Sequence, residues 1–297
     1  MRLSRRSALL FLLPALMLFV GFSWYPIARG FVYAFQEIPW NPDQPTEWVG
    51  LSNFHSVLGD PAFAIAWRNV AIFVGLGIII GFPVPIALAI ALNELRRGRG
   101  FYRLMLYMPT ILPLVVVAYL WRMLYRPEIG VIDGLLGLVG LGPVRWLENP
   151  STAMLSLVLM STWKYAGGTA LIYLAALQGI PSQLYEAAEI DGAGFWQRLW
   201  HITLPQLRFI MVVMLLLQLI ATCQVFTEPF LMTDGGPMTA GNPHGATLTV
   251  LLYIYNTAFG GGGGGLGAAA AASVILFVVM VVFSLLYLRL TRRAGAV

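Results

Sequence analysis

The sequence predicts an all-α membrane protein with six transmembrane helices and a cytoplasmic helix-turn-helix segment between helices 4 and 5. Three observations carry that expectation. Hydrophobic residues make up 59% of the 297-residue chain and charged residues only 10%, against about 25% charged in an ordinary soluble domain. The charges are bunched, and they leave six gaps that can each hold the roughly 20 apolar residues a helix needs to cross the hydrocarbon core. One stretch, Leu184 to Pro205, breaks the pattern: it carries Glu186, Glu189, Asp191, Arg198 and His201 and has no membrane-length apolar run.

The first gap lies between Arg6 and Arg29 and predicts a span over about 8–28. Arg2, Arg5 and Arg6 ahead of an apolar run also fit a secretory signal. The run continues as "FLLPALMLFVGFSWYPIA", however, longer than a signal core and followed by no small-residue cleavage site, so an uncleaved helix is expected. The second gap, Arg68 to Glu94, predicts a span over about 69–93, and the third, Arg103 to Arg122, one over about 104–124. A fourth span, about 152–178, contains Lys164; the fifth, about 208–230, follows Arg208, and the sixth, about 266–289, ends at Arg289. Residues 1–297 read as one transmembrane domain with a cytoplasmic loop at 181–207.

Cytoplasmic loops are enriched in Lys and Arg. With the N-terminus inside, twelve cations fall on the inner side: Arg2, Arg5, Arg6, Arg96, Arg97, Arg99, Arg103, Arg198, Arg208, Arg289, Arg292 and Arg293. Five fall outside, namely Arg29, Arg68, Arg122, Arg126 and Arg145, and the acids divide the other way. Both termini are therefore expected in the cytoplasm. The net charge of +5 follows from this topology and calls for no nucleic-acid partner.

Several chemistries find no support. Lys164 is the only lysine and no phosphate-cradling glycine loop precedes it, so the chain is expected to have no ATPase site of its own. His55, His201 and His244 sit in no metal-ligand spacing, no G-x-S-x-G turn occurs, and Cys223 stands alone in the fifth predicted span. No catalytic residue, bound cofactor or metal is expected in this chain.

In the 181–207 loop, Pro181 and Ser182 predict a helix start, with Ser182 as the capping side chain. Leu184, Ala187, Ala188 and Asp191 then share a helical face, with Glu186 and Glu189 elsewhere, and Gly192 lets the chain leave the helix. Phe195, Leu199 and Ile202 recur at helical spacing between Trp196 and Trp200 until Pro205, which is expected to stop the second helix. Such a pair could lie flat at the lipid interface. Interfacial helices are usually rich in Lys and Arg, however, and an acidic helix on the inner face suits a protein groove better.

The segment "EAAEIDGAGFWQRLWHITLP" resembles the EAA signature of membrane subunits of ATP-binding cassette importers. Its first half is matched by Glu186, Ala187, Ala188, Asp191, Gly192 and Ala193, and its second by Ile202, Leu204 and Pro205. Further stretches resemble the carbohydrate-type permeases, the group that includes the maltose and glycerol-phosphate importers: "VGLSNF" at Val49 to Phe54, "RGRGFYR" at Arg97 to Arg103, "LAALQGIP" at Leu174 to Pro181, "TDGGP" at Thr233 to Pro237 and "LYIYNTAF" at Leu252 to Phe259. The resemblance implies a permease in a prokaryotic inner membrane that forms half of a translocation pathway for a sugar-like solute. It implies a second permease subunit, two ATPase subunits that bind ATP and Mg, and an extracytoplasmic solute-binding protein. It also implies that the nine EAA residues couple ATPase closure to alternating access, held rigidly to the permease by Phe195, Trp196 and Trp200, with Gly192 needed because a side chain would widen a close turn. Two features depart from the family pattern. Phe209 follows Arg208 where relatives often have Pro, and Gly260 to Gly265 form a run expected to be a flexible outer loop.

For the solute pathway, "STWKYAGG" offers Trp163, Lys164 and Tyr165. A charge at the helix centre costs about 2.5–3.5 kcal/mol on insertion scales and usually faces a cavity or a partner. Lys164 accordingly either lines the pathway or pairs with an acid such as Glu228 or a backbone carbonyl. Gln224 and Glu228, one helical turn apart in "CQVFTEPF", form a second patch next to Pro229, and Asp234 is expected in a loop that meets the binding protein. Two alternatives remain at this point: an ion-coupled secondary transporter, which would want central intramembrane carboxylates, and a glycerol-phosphate-type solute in place of a neutral sugar.

Overall fold

The computed structural model describes residues 5–39, 43–95, 97–233, 245–260 and 265–294, and the chain is almost wholly helical. Helix α1 (Arg5–Phe19) continues through a π-helical turn, Val20–Trp24, into α2 (Tyr25–Tyr33). A two-residue antiparallel ribbon follows, β1 (Gln36–Glu37) with β2 (Glu47–Trp48), in which Gln36 faces Trp48. Next come α3 (Ser52–Gly59) and α4 (Pro61–Leu76), which runs through a second π turn, Gly77–Gly81, into α5 (Pro83–Glu94). Then α6 (Arg99–Ile111), α7 (Leu114–Leu124), α8 (Val131–Leu138) and the long α9 (Pro150–Leu177). Helix α10 (Ser182–Ile190) precedes α11 (Phe195–Arg198), which passes through a third π turn, Leu199–Thr203, into α12 (Leu204–Cys223). The last elements are α13 (Thr227–Met232), α14 (Val250–Phe259) and α15 (Gly265–Ala294).

Four helical runs are long and apolar enough to cross a bilayer: Phe11–Tyr33, Pro61–Glu94, Phe195–Cys223 and Gly265–Arg289. The expected third span is not one straight helix, because α6 and α7 meet at 98°. Pro113 has no N–H to donate, and it forces Leu112 into an extended conformation with ψ 139°, so the helix ends at Ile111 and restarts at Leu114. Helix α9 has 28 residues but less apolarity, since Lys164 and a row of hydroxyls sit along it.

The expected span over 208–230 is also revised at both ends. Pro205 does not stop the preceding helix; it sits in the first turn of α12, where its missing N–H costs nothing, and the π turn before it satisfies Leu204 through a bond to the Leu199 carbonyl. At the far end α12 stops at Cys223. Continuing to Pro229 would press its ring on the Val225 carbonyl, which instead accepts a 2.8 Å hydrogen bond from Thr249 Oγ1. Gln224 and Glu228 therefore do not share a helix. The "TDGGP" stretch from Asp234 onward, glycines 261–264 of the glycine run, His244, Arg2 and Arg96 lie outside the described residues.

Helix α9 is the centre of the molecule, packed by α4, α5, α6, α7, α12 and α13. Lipid is as apolar as leucine, so close packing and hydrogen bonds hold such helices together where exclusion from water cannot. Gly167 shows how close α6 comes: a Cβ there would lie 1.7 Å from the Leu106 carbonyl oxygen. A second core joins α2, α3 and α4 to α14 and α15 around Phe63, Val70, Leu252 and Ala272. Buried Asn69 ties it to the 245–248 turn, donating to the Gly245 and Leu248 carbonyls at 2.6 and 3.0 Å, and Tyr253 donates to Asp60 at 2.8 Å. By contrast, the Phe11–Tyr33 run leaves its apolar side chains exposed.

Candidate functional site

Two regions of the molecule gather the residues singled out in the sequence. The first is α10 with its following turn. Pro181, and not Ser182, occupies the cap position, and Ser182 makes no side-chain cap bond because it is already the first helical residue. The helix ends in a Schellman arrangement: Gly192 N–H donates to the Glu189 carbonyl at 3.1 Å and Ala193 N–H to the Ala188 carbonyl at 2.8 Å. Gly192 holds φ +77° with nothing within 4 Å of where a Cβ would stand, so it is there for its left-handed backbone and not for a close approach. Gly192→Ala should loosen the turn by about 1–2 kcal/mol and Gly192→Asn by less. Amide exchange over residues 184–194 would report both.

The segment is anchored by polar contacts. Tyr185 and Thr203 hydroxyls meet at 3.0 Å, Arg198 pairs with Glu189, and Gln197 Oε1 accepts the Gly194 N–H at 2.8 Å. The expected clamp of Phe195, Trp196 and Trp200 against the permease body is absent. On the continuous helix the inward stripe is Leu199, Thr203 and Leu207 at i, i+4 and i+8, which turns Trp196 and Trp200 outward and leaves Phe195 at the edge. Ile190 is 87% exposed, Trp196 68% and Trp200 64%. Glu186, Ala187, Ala188, Asp191, Gly192 and Ala193 thus sit together on one protruding helix and its turn, with Ile202, Leu204 and Pro205 on the helix that leads away from it.

The second region surrounds α9. Lys164 is buried, and its ammonium donates to three carbonyls at the broken end of α6: Leu112 at 2.6 Å, Pro109 at 3.3 Å and Thr110 at 3.5 Å. These are carbonyls that a helix C-terminus leaves without intrahelical partners. Thr110 Oγ1 returns a bond to the Lys164 carbonyl at 3.0 Å. Trp163 lies on another side, half-exposed and edge-on to Trp121 at 5.7 Å. Neither Trp163 nor Lys164 lines the cavity beside them.

That cavity, of about 480 Å³, is bounded by α4, α5, α7, α9, α12 and α13, and by the π turn between α4 and α5. Tyr165, Gln224 and Glu228 do converge on it, Glu228 from the first turn of α13 and facing the Tyr165 hydroxyl. Phe73, Phe82 and Phe226 give it aromatic walls. Gln218 donates to the Gly77 carbonyl at 2.7 Å, and glycine at 81 leaves room where a Cβ would stand 3.1 Å from the Gln218 amide nitrogen. Ser161 Oγ and Tyr173 OH are buried in this wall with no hydrogen-bond partner among the described residues.

Gln218, Thr162, Thr169 and Tyr173 were not legible as a group from composition. Their signal is spacing: Tyr165, Thr169 and Tyr173 recur at i, i+4 and i+8 on α9, and Gln218 and Thr222 at i and i+4 on α12, hydroxyl and amide stripes inside otherwise apolar helices.

Residues 61–295 match the family described as "Binding-protein-dependent transport system inner membrane component". The chain is 34% identical over 255 residues to the probable ABC transporter permease protein YurN of Bacillus subtilis, covering 84% of each. It is 32% identical over 248 residues to the trehalose/maltose transport system permease protein MalF of Thermococcus litoralis, covering 83% of this chain and 81% of that one. Among solved structures it is similar to a bacterial ABC transporter involved in the import of the acidic polysaccharide alginate, with TM-score 0.82, 30% identity, and coverage of 97% of this chain and 96% of the other.

Proposed function

The chain belongs to the binding-protein-dependent transport system inner membrane components, and we infer from that premise how its two regions work. It is a permease subunit of an ATP-binding cassette sugar importer and a multi-pass protein of the inner membrane. Its partners in this reading are a second permease, two cytoplasmic ATPases and an extracytoplasmic binding protein, with ATP and Mg held in the ATPases and no hydrolytic site in this chain. The secondary-transporter alternative gains no support from these comparisons.

The four apolar runs, the bent α6–α7 pair and α9 together make six spans, with both termini in the cytoplasm. Surrounded by other helices, α9 does not need an all-apolar surface. The α10 segment then faces the ATPases. The observation that carries this coupling role is the exposure of Ile190 at the end of the acidic helix α10 and of Trp196 and Trp200 on the helix that follows it: apolar tips beside an acidic helix suit a groove in a protein partner. ATPase closure would move α10, and the continuous helical run Phe195–Cys223 would carry that motion to the wall of the cavity formed by α12.

The cavity next to α9 is the solute pathway of this half of the importer, its aromatic walls suiting sugar rings and its hydroxyls and amides suiting sugar hydroxyls. Tyr165, Gln224 and Glu228 belong to it in this account, while Lys164 and Trp163 support it from behind.

The test is ATP hydrolysis by the reconstituted complex, with binding protein and sugar present. Replacing both Ile190 and Trp196 by Asp should lower sugar-stimulated hydrolysis at least about tenfold, the effect of removing about 1.4 kcal/mol of docking energy, with membrane insertion intact. Unchanged stimulation and unchanged ATPase co-purification would remove the coupling role from this segment.

A further inference from the structure

Family membership leaves the charge of the solute open, since one similar protein is named for trehalose and maltose and another for an acidic polysaccharide. The cavity of this chain is less neutral on the point. Among its described lining residues there is no Lys, Arg or His, and the one ionisable acid is Glu228. Lys164, which interacts electrostatically with Glu228, has its ammonium committed to the Pro109, Thr110 and Leu112 carbonyls and does not border the cavity.

An anionic solute loses its hydration on entering such a space and needs charged donors, above all Arg or Lys, to replace it. Here it would meet a carboxyl group. A neutral polyol meets complementary chemistry instead: carboxyl and amide oxygens accept from its hydroxyls, and the hydroxyls of the lining residues Tyr165, Thr162 and Thr169 donate or accept in turn.

Resting on the assignment of this cavity as the solute pathway, we propose that it admits neutral polyhydroxylated sugars and that Glu228 is the residue that excludes uronate and phosphate-bearing solutes. The glycerol-phosphate-type alternative is thereby disfavoured for this half of the pathway.

The experiment uses the full complex in lipid discs without the binding protein, so that selection upstream does not contribute. Saturation-transfer NMR would compare the neutral probes maltotriose, cellotriose and galactotriose with trigalacturonate. At least one neutral probe should bind wild type at least tenfold more tightly than trigalacturonate. Glu228→Gln should narrow that ratio at least fivefold while still binding the neutral probe. Glu228→Asp, which keeps the carboxyl group, serves as a second variant if Glu228→Gln fails to assemble, and should preserve the exclusion.

Equal or tighter binding of trigalacturonate to wild type overturns the proposal but leaves the pathway assignment standing. So does a Glu228→Gln complex that binds the neutral probe and excludes the anion as strongly as wild type does. If none of the four probes binds the wild-type complex, the pathway assignment and the proposal fall together.

Discussion

Gly167→Ala is expected to lower the melting temperature of the permease by several degrees, whereas Gly168→Ala, one residue on, is expected to raise it slightly. A Cβ at 167 would stand 1.7 Å from the Leu106 carbonyl oxygen and 2.4 Å from its carbon, and both atoms are backbone, with no rotamer to swing away. Overpacking a tight site costs about 1–3 kcal/mol when side chains can adjust, and here α6 as a whole must retreat, so a cost at or above the upper end of that range is expected. The better helix propensity of alanine returns only about 1 kcal/mol. At 168 the nearest atoms belong to the Thr110 side chain at 3.4 Å, ordinary contact, so the propensity gain should stand nearly alone. Thermal unfolding in detergent should therefore separate the two variants by several degrees in opposite directions from wild type. Equal melting of the two would mean that α6 and α9 do not pack at the described distance.

That contact was only half legible in the sequence. "STWKYAGG" announced an intramembrane lysine followed by two glycines, and the charge gaps located the apolar helices, because the cost of burying charge leaves a mark on every sequence that spans lipid. The two-part segment at 184–205 was equally plain, since its charges interrupt that pattern. What composition could not show was where helices break and which faces turn inward. Pro113 and Pro205 look alike in the sequence, yet one ends a helix and the other sits harmlessly in a first turn after a π turn. Trp196 and Trp200 read as packing residues until the run is seen to continue through Thr203 to Leu207, which fixes the inward stripe elsewhere. Gln218 and Tyr173 needed the cavity to be recognised, because a single amide or hydroxyl in an apolar run is common and only their convergence is informative.

Lys164→Met should be the most damaging change among the polar residues of α9, and the manner of damage distinguishes its two contacts. The ammonium serves the carbonyls of Pro109, Thr110 and Leu112, where the α6 helix has ended and water is scarce. Hydrogen bonds to a charged group contribute about 1.5–3 kcal/mol each when one partner is removed. The return from no longer burying a charge offsets part of this, so a net loss of about 2–3 kcal/mol is expected. Methionine keeps the volume, which makes the loss electrostatic and not a cavity effect. Lys164→Arg should restore little, because a planar guanidinium does not fit three carbonyls converging on one point. Glu228 provides the second arm. It interacts with Lys164 across the cavity wall, so the Lys164→Met, Glu228→Gln double variant should unfold at a higher temperature than the sum of the single losses predicts, with a coupling of about 0.5–1 kcal/mol. Strict additivity would show that Lys164 acts only as the cap of α6. In that case the lysine fixes only the bend between α6 and α7, and Glu228 stands in the cavity wall independently of it.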